Sequence, residues 1–328
     1  MPSRRRQSNN NSENDQDFAT ATDAPSAGHD PVLMEETLAL MSAQPGQTVI
    51  DCTLGRGGHS QAIASQLGPT GLLIALDVDP RNLEFARERL KDSPCSIRFF
   101  HANFAELSDV LSLVGIEKVD AILVDLGLST NQLFDAHYGL SFARPMPLDM
   151  RIDPRTPRSA ADLVNSMKEE DLANVLYELA QERYSRRIAR KIVEARKISP
   201  IKTTDRLAEI VRSAIPSRPN KRGARGGAPV EIDPATRTFL ALRMVVNQER
   251  ENLQSLLQTA PRHLSGGGRL AVISFQSTED RMVKQAFRSA EQTGLVKIIT
   301  PKPLSPADAE VAANPRSRSA KLRAVEVL

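Results

Sequence analysis

The residues best placed for chemistry sit at the ends of short β-branched runs. Asp51-Cys-Thr-Leu-Gly55-Arg-Gly57-Gly58-His59 separates TVIDC (48–52) from the helical stretch QAIASQL. Glycines at a strand-to-helix turn let the backbone approach a ligand, and the helix N-terminus offers unpaired amides. Asp77 closes the next run, LLIALDVD (72–79), nineteen residues past Gly58. That is near the ~20-residue spacing of an acid that binds ribose hydroxyls. The G-x-G-x-x-G spacing of a pyrophosphate cradle is missing, because Gly57 and Gly58 are adjacent and position 60 is Ser. An adenosyl ligand without a diphosphate therefore suits the turn better than a nicotinamide dinucleotide. Asp79 precedes Pro80 and reads as a helix cap, which leaves Asp77 for the ligand. Phe104, after IRFFHAN, is either core or a wall against an adenine ring. Asp125-Leu-Gly-Leu-Ser129 ends a fourth run, so Asp125 faces the same crevice as Gly57 and Asp77, with Gln132 in reach. Cys95 follows Pro94 but reads as an incidental loop cysteine, and Cys52 as a buried strand residue.

These positions need a parallel sheet to hold them. TVIDC, LLIALDVD, IRFFHANF (97–104) and VDAILVDLG (119–127) are apolar runs alternating with helical segments, the pattern of a parallel sheet covered on both faces. From about 137 to 216 the rhythm breaks. AADLVNSM, EEDLANVLYELA, RYSRRIARKIVEARK and TTDRLAEIVRSAI have i, i+3, i+4 apolar spacing and no strand among them. Strand character resumes at GGRLAVISF (267–275). The expectation is an α/β domain over 29–136 and 217–328 carrying an inserted all-helical subdomain over 137–216. A Gly/Arg/Pro-rich loop, SRPNKRGARGGAP (217–229), precedes one long helix over TRTFLALRMVVNQERENLQSLL. At the C-terminus LVKIIT (295–300) and LRAVEVL (322–328) are joined by a Pro-rich segment, which favours an antiparallel closing pair. Such an ending separates methyltransferase-type sheets from dehydrogenase sheets. Residues 1–28, rich in Asn, Ser, Asp and Thr, read as a disordered tail.

Composition excludes several classes. The 328 residues are 40% hydrophobic, and no run approaches the ~18 apolar residues of a membrane span. MPSRRRQSNN leads into polar sequence, and acids at 13, 15, 17 and 23 interrupt a transit-peptide pattern. Two cysteines make neither a disulfide framework nor a zinc site, so a reducing cytoplasm and no metal are expected. The net charge of +3 hides patches. Arg183, Arg186, Arg187, Arg190, Lys191, Arg196 and Lys197 face a single acid, Glu194. Arg218, Lys221, Arg222 and Arg225 follow in the loop, and Arg316, Arg318, Lys321 and Arg323 near the end. Clusters beside a ligand crevice favour a phosphate-backbone surface. With 4% aromatics and no Trp, stacking alone would not hold a single strand.

The stretches HDPVLMEE, DCTLGRGGHS, LDVDP, DLGLSTNQL, PLDMRID, ERYSRRIARKIV, PATRTFLALRMVVNQE, GGRLAVISFQSTEDR and NPRSRSAKLR occur in that order. Together they resemble the bacterial small-subunit ribosomal RNA (cytosine-N4)-methyltransferase family over nearly the whole chain after residue 28. The resemblance implies a class I, Rossmann-like methyltransferase sheet with an inserted helical substrate domain, and S-adenosyl-L-methionine as cofactor. Carried over by motif, Gly57, Gly58 and His59 contact the cofactor in the first turn. Asp77 takes the ribose, Phe104 lies by the adenine, and Asp125 and Gln132 complete the pocket. For transfer to a cytosine amine, a polar acceptor must hold the amine hydrogens. Asp125 is the first candidate, with Asp149 and Arg151 of PLDMR as helpers. The implied partner is small-subunit ribosomal RNA or the small subunit itself, with no membrane and with a homodimer left open. Gln276, Asp233 and Thr130-Asn131 depart from the family pattern, so no histidine role at 276 or 233 carries over. The alternatives are a DNA or protein-amine methyltransferase of the same fold, a non-catalytic RNA-binding module, and a nicotinamide-dependent dehydrogenase.

Overall fold

The computed structural model describes residues 31–216 and 233–328. The tail at 1–28 and the loop at 217–229 lie outside the described residues. Seven strands form one sheet: β1 (Thr48–Asp51), β2 (Leu72–Asp77), β3 (Ser96–His101), β4 (Val119–Asp125), β5 (Leu264–Ser274), β6 (Val296–Ile298) and β7 (Lys321–Val327). Their order is β3-β2-β1-β4-β5-β7-β6. The first five run parallel, and β7 is antiparallel to both β5 and β6, the closing pair read from the sequence.

Period-two alternation sorts the central strands onto two cores. Val49, Leu73, Leu123 and Ile273 pack beneath α1 (Met34–Met41) and α2 (Gly58–Leu67). Ile50, Ile74, Ile122 and Val272 face α4 (Leu107–Val114), α11 (Glu249–Thr259) and α12 (Ser277–Gln292). Helix α3 (Pro80–Arg89) covers β2 and the edge strand β3 through Leu83 and Ala86. Register brings the carboxyl ends of the strands to one edge, with Asp51 opposite both Ala75 and Leu123, and Asp125 opposite Ile273. The chain turns to opposite sides of β1 at this edge, which opens a crevice between β1 and β4.

After β4 comes the short α5 (Thr130–Phe134), then α6 (Ala160–Ser166), α7 (Glu169–Ala180), α8 (Ser185–Ile198) and α9 (Thr204–Ala214). The helices α6 to α9 bury one apolar core, centred on Leu163, Leu172, Leu176, Ile188, Ile192 and Leu207. The helix α10 (Ala235–Val246) adds Ala235, Phe239, Leu242 and Val246 to that core, so the helical layer continues past residue 216. The long helix expected over 236–257 is instead two helices. The chain breaks at Asn247 and Gln248, the latter at φ 50°. Asn247 caps α10 at this break and ties it to the start of the insert: Oδ1 accepts from Ile152 N (2.9 Å) and Nδ2 donates to Met150 O (2.8 Å). Between β6 and β7 lie α13 (Asp308–Ala313) and a 3-10 turn over Pro315–Ser319. Among the described residues no helix is long and apolar enough to cross a membrane.

Candidate active site

Two cavities open at the carboxyl edge of the sheet. The larger, of about 650 Å³, is lined by Asp77, Phe104, Asp125 and Gln132 and roofed by residues of α10, α11 and α12. The smaller, of about 390 Å³, is lined by Pro31, His59, Leu240, Phe275 and Gln276. The segment Asp125–Ser129 lines both and forms the wall between them, together with Thr53, Gly55 and Arg243.

The first turn is built for close approach, with its glycines in different roles. Gly55 sits at φ +52° with no atom within 3.8 Å of where a Cβ would stand, and it borders both cavities. Its half-buried backbone is the glycine backbone of the turn that borders the larger cavity. Gly57, at φ +79°, backs onto Leu90 and Ala86 and lines neither cavity. Gly58 admits Pro31, whose Cγ lies 2.4 Å from an added Cβ, and it borders the smaller cavity. His59 is buried beneath this turn. Its Nε2 lies 3.1 Å from the Val32 carbonyl, and its Nδ1 3.9 Å from Asp125 Oδ2. Burial lowers the His59 pKa, so the ring is neutral near pH 7.

Asp77 is held where the sequence placed it. Oδ2 accepts from Gly55 N (2.7 Å) and Oδ1 from Asp79 N (2.8 Å), so the carboxyl bridges the first and second turns. Burial pushes its pKa up to about 7 in spite of those amides. Asp79 caps α3 by accepting from Arg81 N (3.0 Å). Its other oxygen accepts from Gln132 Nε2 (2.9 Å) and from the Tyr138 hydroxyl (2.6 Å). Gln132 Oε1 in turn accepts from Ser129 N (3.0 Å). Gln132 therefore borders the larger cavity while anchoring the 129–138 segment to α3.

Asp125 stands at the meeting point. Its amide donates to Thr53 Oγ1 (2.6 Å), and its Oδ1 accepts from Gly127 N (3.0 Å). Asp149 and Arg151 line neither cavity. They form a bidentate pair (2.7 and 2.8 Å) that holds the Asp149 carboxyl below its ordinary range against the opposing effect of burial. Their neighbours Asp153 and Arg155 reach the larger cavity instead, where Arg155 bridges Asp153 (2.8 Å) and Glu106 (2.9 Å). Both cysteines are free and buried, and burial pushes both thiols up, away from the thiolate form that a nucleophile needs.

One group escaped the sequence reading. Arg243 borders both cavities and grips Glu249 through two bonds (2.7 and 2.9 Å). Glu279 accepts from the amides of Phe275 and Gln276 (3.0 Å each) at the start of α12. Burial, with the nearby Glu249 charge, pushes Glu279 up to about 7. The only signal for this cluster was an arginine embedded in the apolar run TFLALRMVV.

Residues 26–328 match the model of the MraW methylase family. The chain belongs to this family. Proteins named ribosomal RNA small subunit methyltransferase H are similar along nearly their whole length. The one from Solibacter usitatus is 46% identical, with 91% of this chain and 99% of that protein covered. The one from Desulfosudis oleivorans is 43% identical, with 91% and 98% covered. A solved putative methyltransferase from Streptococcus mutans in complex with SAH shares 11% identity at a TM-score of 0.42, covering 92% of this chain and 100% of that one.

Among the described residues, the basic surface of this MraW-family methylase is smaller than its composition suggests. On α8 the side chains of Arg186, Arg187, Arg190, Lys191 and Lys197 are exposed. The run begins at Arg183, just after Glu178, Leu179 and Gln181 line the larger cavity. Near the C-terminus Arg316 and Arg318 are exposed, whereas Arg323 is buried against Asp280 (2.7 Å), with Lys321 alongside (3.3 Å). The basic loop at 217–229 lies outside the described residues.

Proposed function

We propose that this methylase transfers a methyl group to the exocyclic N4 of a cytidine in the decoding region of small-subunit ribosomal RNA, in the cytoplasm. The supporting observation is the position of Asp125, on the wall shared by a cavity with adenosyl-binding features and a second cavity. The larger cavity fits S-adenosyl-L-methionine: an acid at the β2 end for ribose hydroxyls, an aromatic ring at Phe104, and the open Gly55 backbone converge on one space. Its volume lies within the roughly 300–1,000 Å³ of small-molecule sites. When bound, S-adenosyl-L-methionine supplies an electrophilic methyl, the C–S electrons staying with sulfur as the amine lone pair forms the N–C bond.

The protein's part is to bind and orient. The lone pair of a cytosine amine is delocalised into the ring, so the amine must be held by acceptors on its hydrogens. Asp125 supplies one, fixed in place by Thr53 and Gly127. As the new bond forms, the surplus amine proton passes to the Asp125 carboxylate. Asp149 and Arg151 act by position: their pair secures the start of the insert, from which Ile152, Asp153 and Arg155 reach the cavity. The exposed arginines and lysines of α8 take the RNA backbone.

Mass spectrometry of ribosomal RNA from a strain lacking this protein tests the reading. A decoding-region cytidine that loses its N4-methyl group supports it, and an unchanged one refutes it. In vitro, Asp125→Ala is expected to abolish transfer, and RNA affinity is expected to fall steeply with salt. A variant that keeps near-normal turnover would remove Asp125 from the mechanism.

A further inference from the structure

The turn between α7 and α8 carries groups that the donor site does not use. The chain has three tyrosines and no tryptophan. Tyr138 is buried, whereas Tyr177 is 60% exposed and Tyr184 38% exposed, one on each side of this turn. Among the described residues neither ring packs on another aromatic ring or on a guanidinium. Between them in the chain, Glu178, Leu179 and Gln181 line the larger cavity, so the turn forms part of its rim.

The turn is firmly held. Gln181, at φ 51°, closes α7 by donating its amide to Tyr177 O (2.9 Å), and Glu182 N donates to Leu176 O (3.1 Å). The buried Glu182 carboxylate accepts from Tyr184 N (2.8 Å), and Arg237 of α10 donates to Gln181 O (3.4 Å). Tyr177 lies one turn past Asn174 on α7, and Asn174 Oδ1 accepts from Arg186 Nη1 (2.7 Å), so ring and guanidinium share a face. Arg183, Arg186 and Arg187 are exposed here, and none of them makes an ion pair among the described residues. Against these three stand one exposed acid, Glu178, and the buried Glu182. Farther along α8, Arg190 meets Glu169 (3.7 Å) and Lys191 meets Glu194 (2.8 Å). The unpaired positive charge is therefore concentrated beside the two rings.

We infer that the α7–α8 turn is a stacking platform for unpaired nucleotides flanking the target. Tyr177 and Tyr184 each take a base face, and Arg183, Arg186 and Arg187 take the phosphates between them. This rests on the proposed function and adds to it the strandedness of the RNA. A duplex hides its base faces in its own stack, so such a platform accepts a single strand. Every base has a face that stacks on an aromatic ring, so the turn supplies grip and position and leaves the choice of base to the cavity. Two rings would hold a strand weakly by themselves, and the adjacent arginines add the phosphate contribution. A protein partner suits this surface less well, because its apolar area is two rings set among guanidinium groups, without an apolar centre.

The test uses the full-length enzyme and a labelled single-stranded RNA of about twelve nucleotides, with the same sequence as a duplex for comparison. Lacking tryptophan, the protein emits through its tyrosines, and the single strand is expected to quench that emission. Tyr177→Ala and Tyr184→Ala should each weaken single-strand binding about tenfold without altering its salt dependence, while Tyr→Phe at either position keeps wild-type affinity. Arg186→Ala should instead lower the slope of log K against log salt by about 0.7. Calorimetry with S-adenosylhomocysteine, unchanged in all of these variants, shows that each is folded. A double alanine variant that binds the single strand as wild type does, or a wild-type enzyme that prefers the duplex, would overturn the inference. An Arg186→Ala slope equal to wild type would do the same. So would a loss seen only with assembled small subunits and not with the oligonucleotide, which would give the rings a protein partner. If the platform behaves as expected but no cytidine is methylated by the wild-type enzyme, the proposed function falls and the platform stands.

Discussion

Replacing Tyr138 by Phe tests whether the wall between the cavities is held from outside. Tyr138 is buried, and its hydroxyl donates to Asp79 Oδ2 at 2.6 Å. Burial, then the Asp79 carboxyl, pushes the phenol up, so it remains a donor at every working pH. Phe fills the same space, so no cavity forms and only the hydrogen bond is lost. A bond to a charged acceptor contributes about 1.5–3 kcal/mol, and Asp79 keeps its bonds to Gln132 and Arg81. The expected cost is therefore about 2 kcal/mol, roughly thirtyfold in an opening equilibrium. The loss belongs to the 129–138 segment, which α3 holds through Asp79 and Asn82. Hydrogen exchange of amides 130–138 should quicken about thirtyfold, while the sheet amides of β1 and β4 change little. Unchanged exchange in this segment, or an equal acceleration in the sheet, would refute the claim that Tyr138 latches a local unit.

Three further outcomes follow from the same geometry. Gly58→Ala drives a methyl to 2.4 Å from Pro31 Cγ, and should cost about 1–3 kcal/mol in urea unfolding; an unmoved midpoint would show that the chain gives way freely. Glu279 has a native pKa of about 7 against an ordinary 4.5, so the folded state holds its proton more tightly. Its contribution is full below pH ~4.5 and is lost as pH rises through ~7, and Glu279→Gln should flatten the fall in stability between pH 5 and 8. Parallel pH profiles for the two proteins would dismiss that assignment. Arg243→Ala leaves the half-buried Glu249 beside Glu279 without its counter-charge and should cost about 2 kcal/mol, part of it recovered by adding Glu249→Gln. A double variant no more stable than the single would argue against the ion pair.

The sheet was legible because apolar runs and acid-tipped strand ends are local signals. Asp51, Asp77 and Asp125 each close a run, and each lies at the carboxyl edge. The break between α10 and α11 was not legible. VVNQE contains neither Gly nor Pro, and the partners that fix the Asn247 side chain at the break are backbone groups 95 and 97 residues away. Counting charges also misled at the C-terminus. Lys321 and Arg323 alternate onto the same face of β7 and share Asp280, which a tally of signs does not reveal. Gly57 and Gly58 carry a related lesson: a glycine can be required by a neighbouring chain, here Leu90 and Pro31, as firmly as by a ligand. Tyr138 left no trace at all, since an aromatic in a loop has no periodic context.

Helix α10 presents Phe239 and Leu242 to the helical core and Leu240 and Arg243 to the cavities. It has no glycine or proline between Ala235 and Val246, so it behaves as a stiff rod with one side in each compartment. Under the proposed function, a nucleic acid gripped by the helical layer would be held at a fixed span from the transfer point. Selection under that proposal would work partly as a caliper does, favouring the nucleotide whose distance from the gripped backbone matches the thickness of one helix.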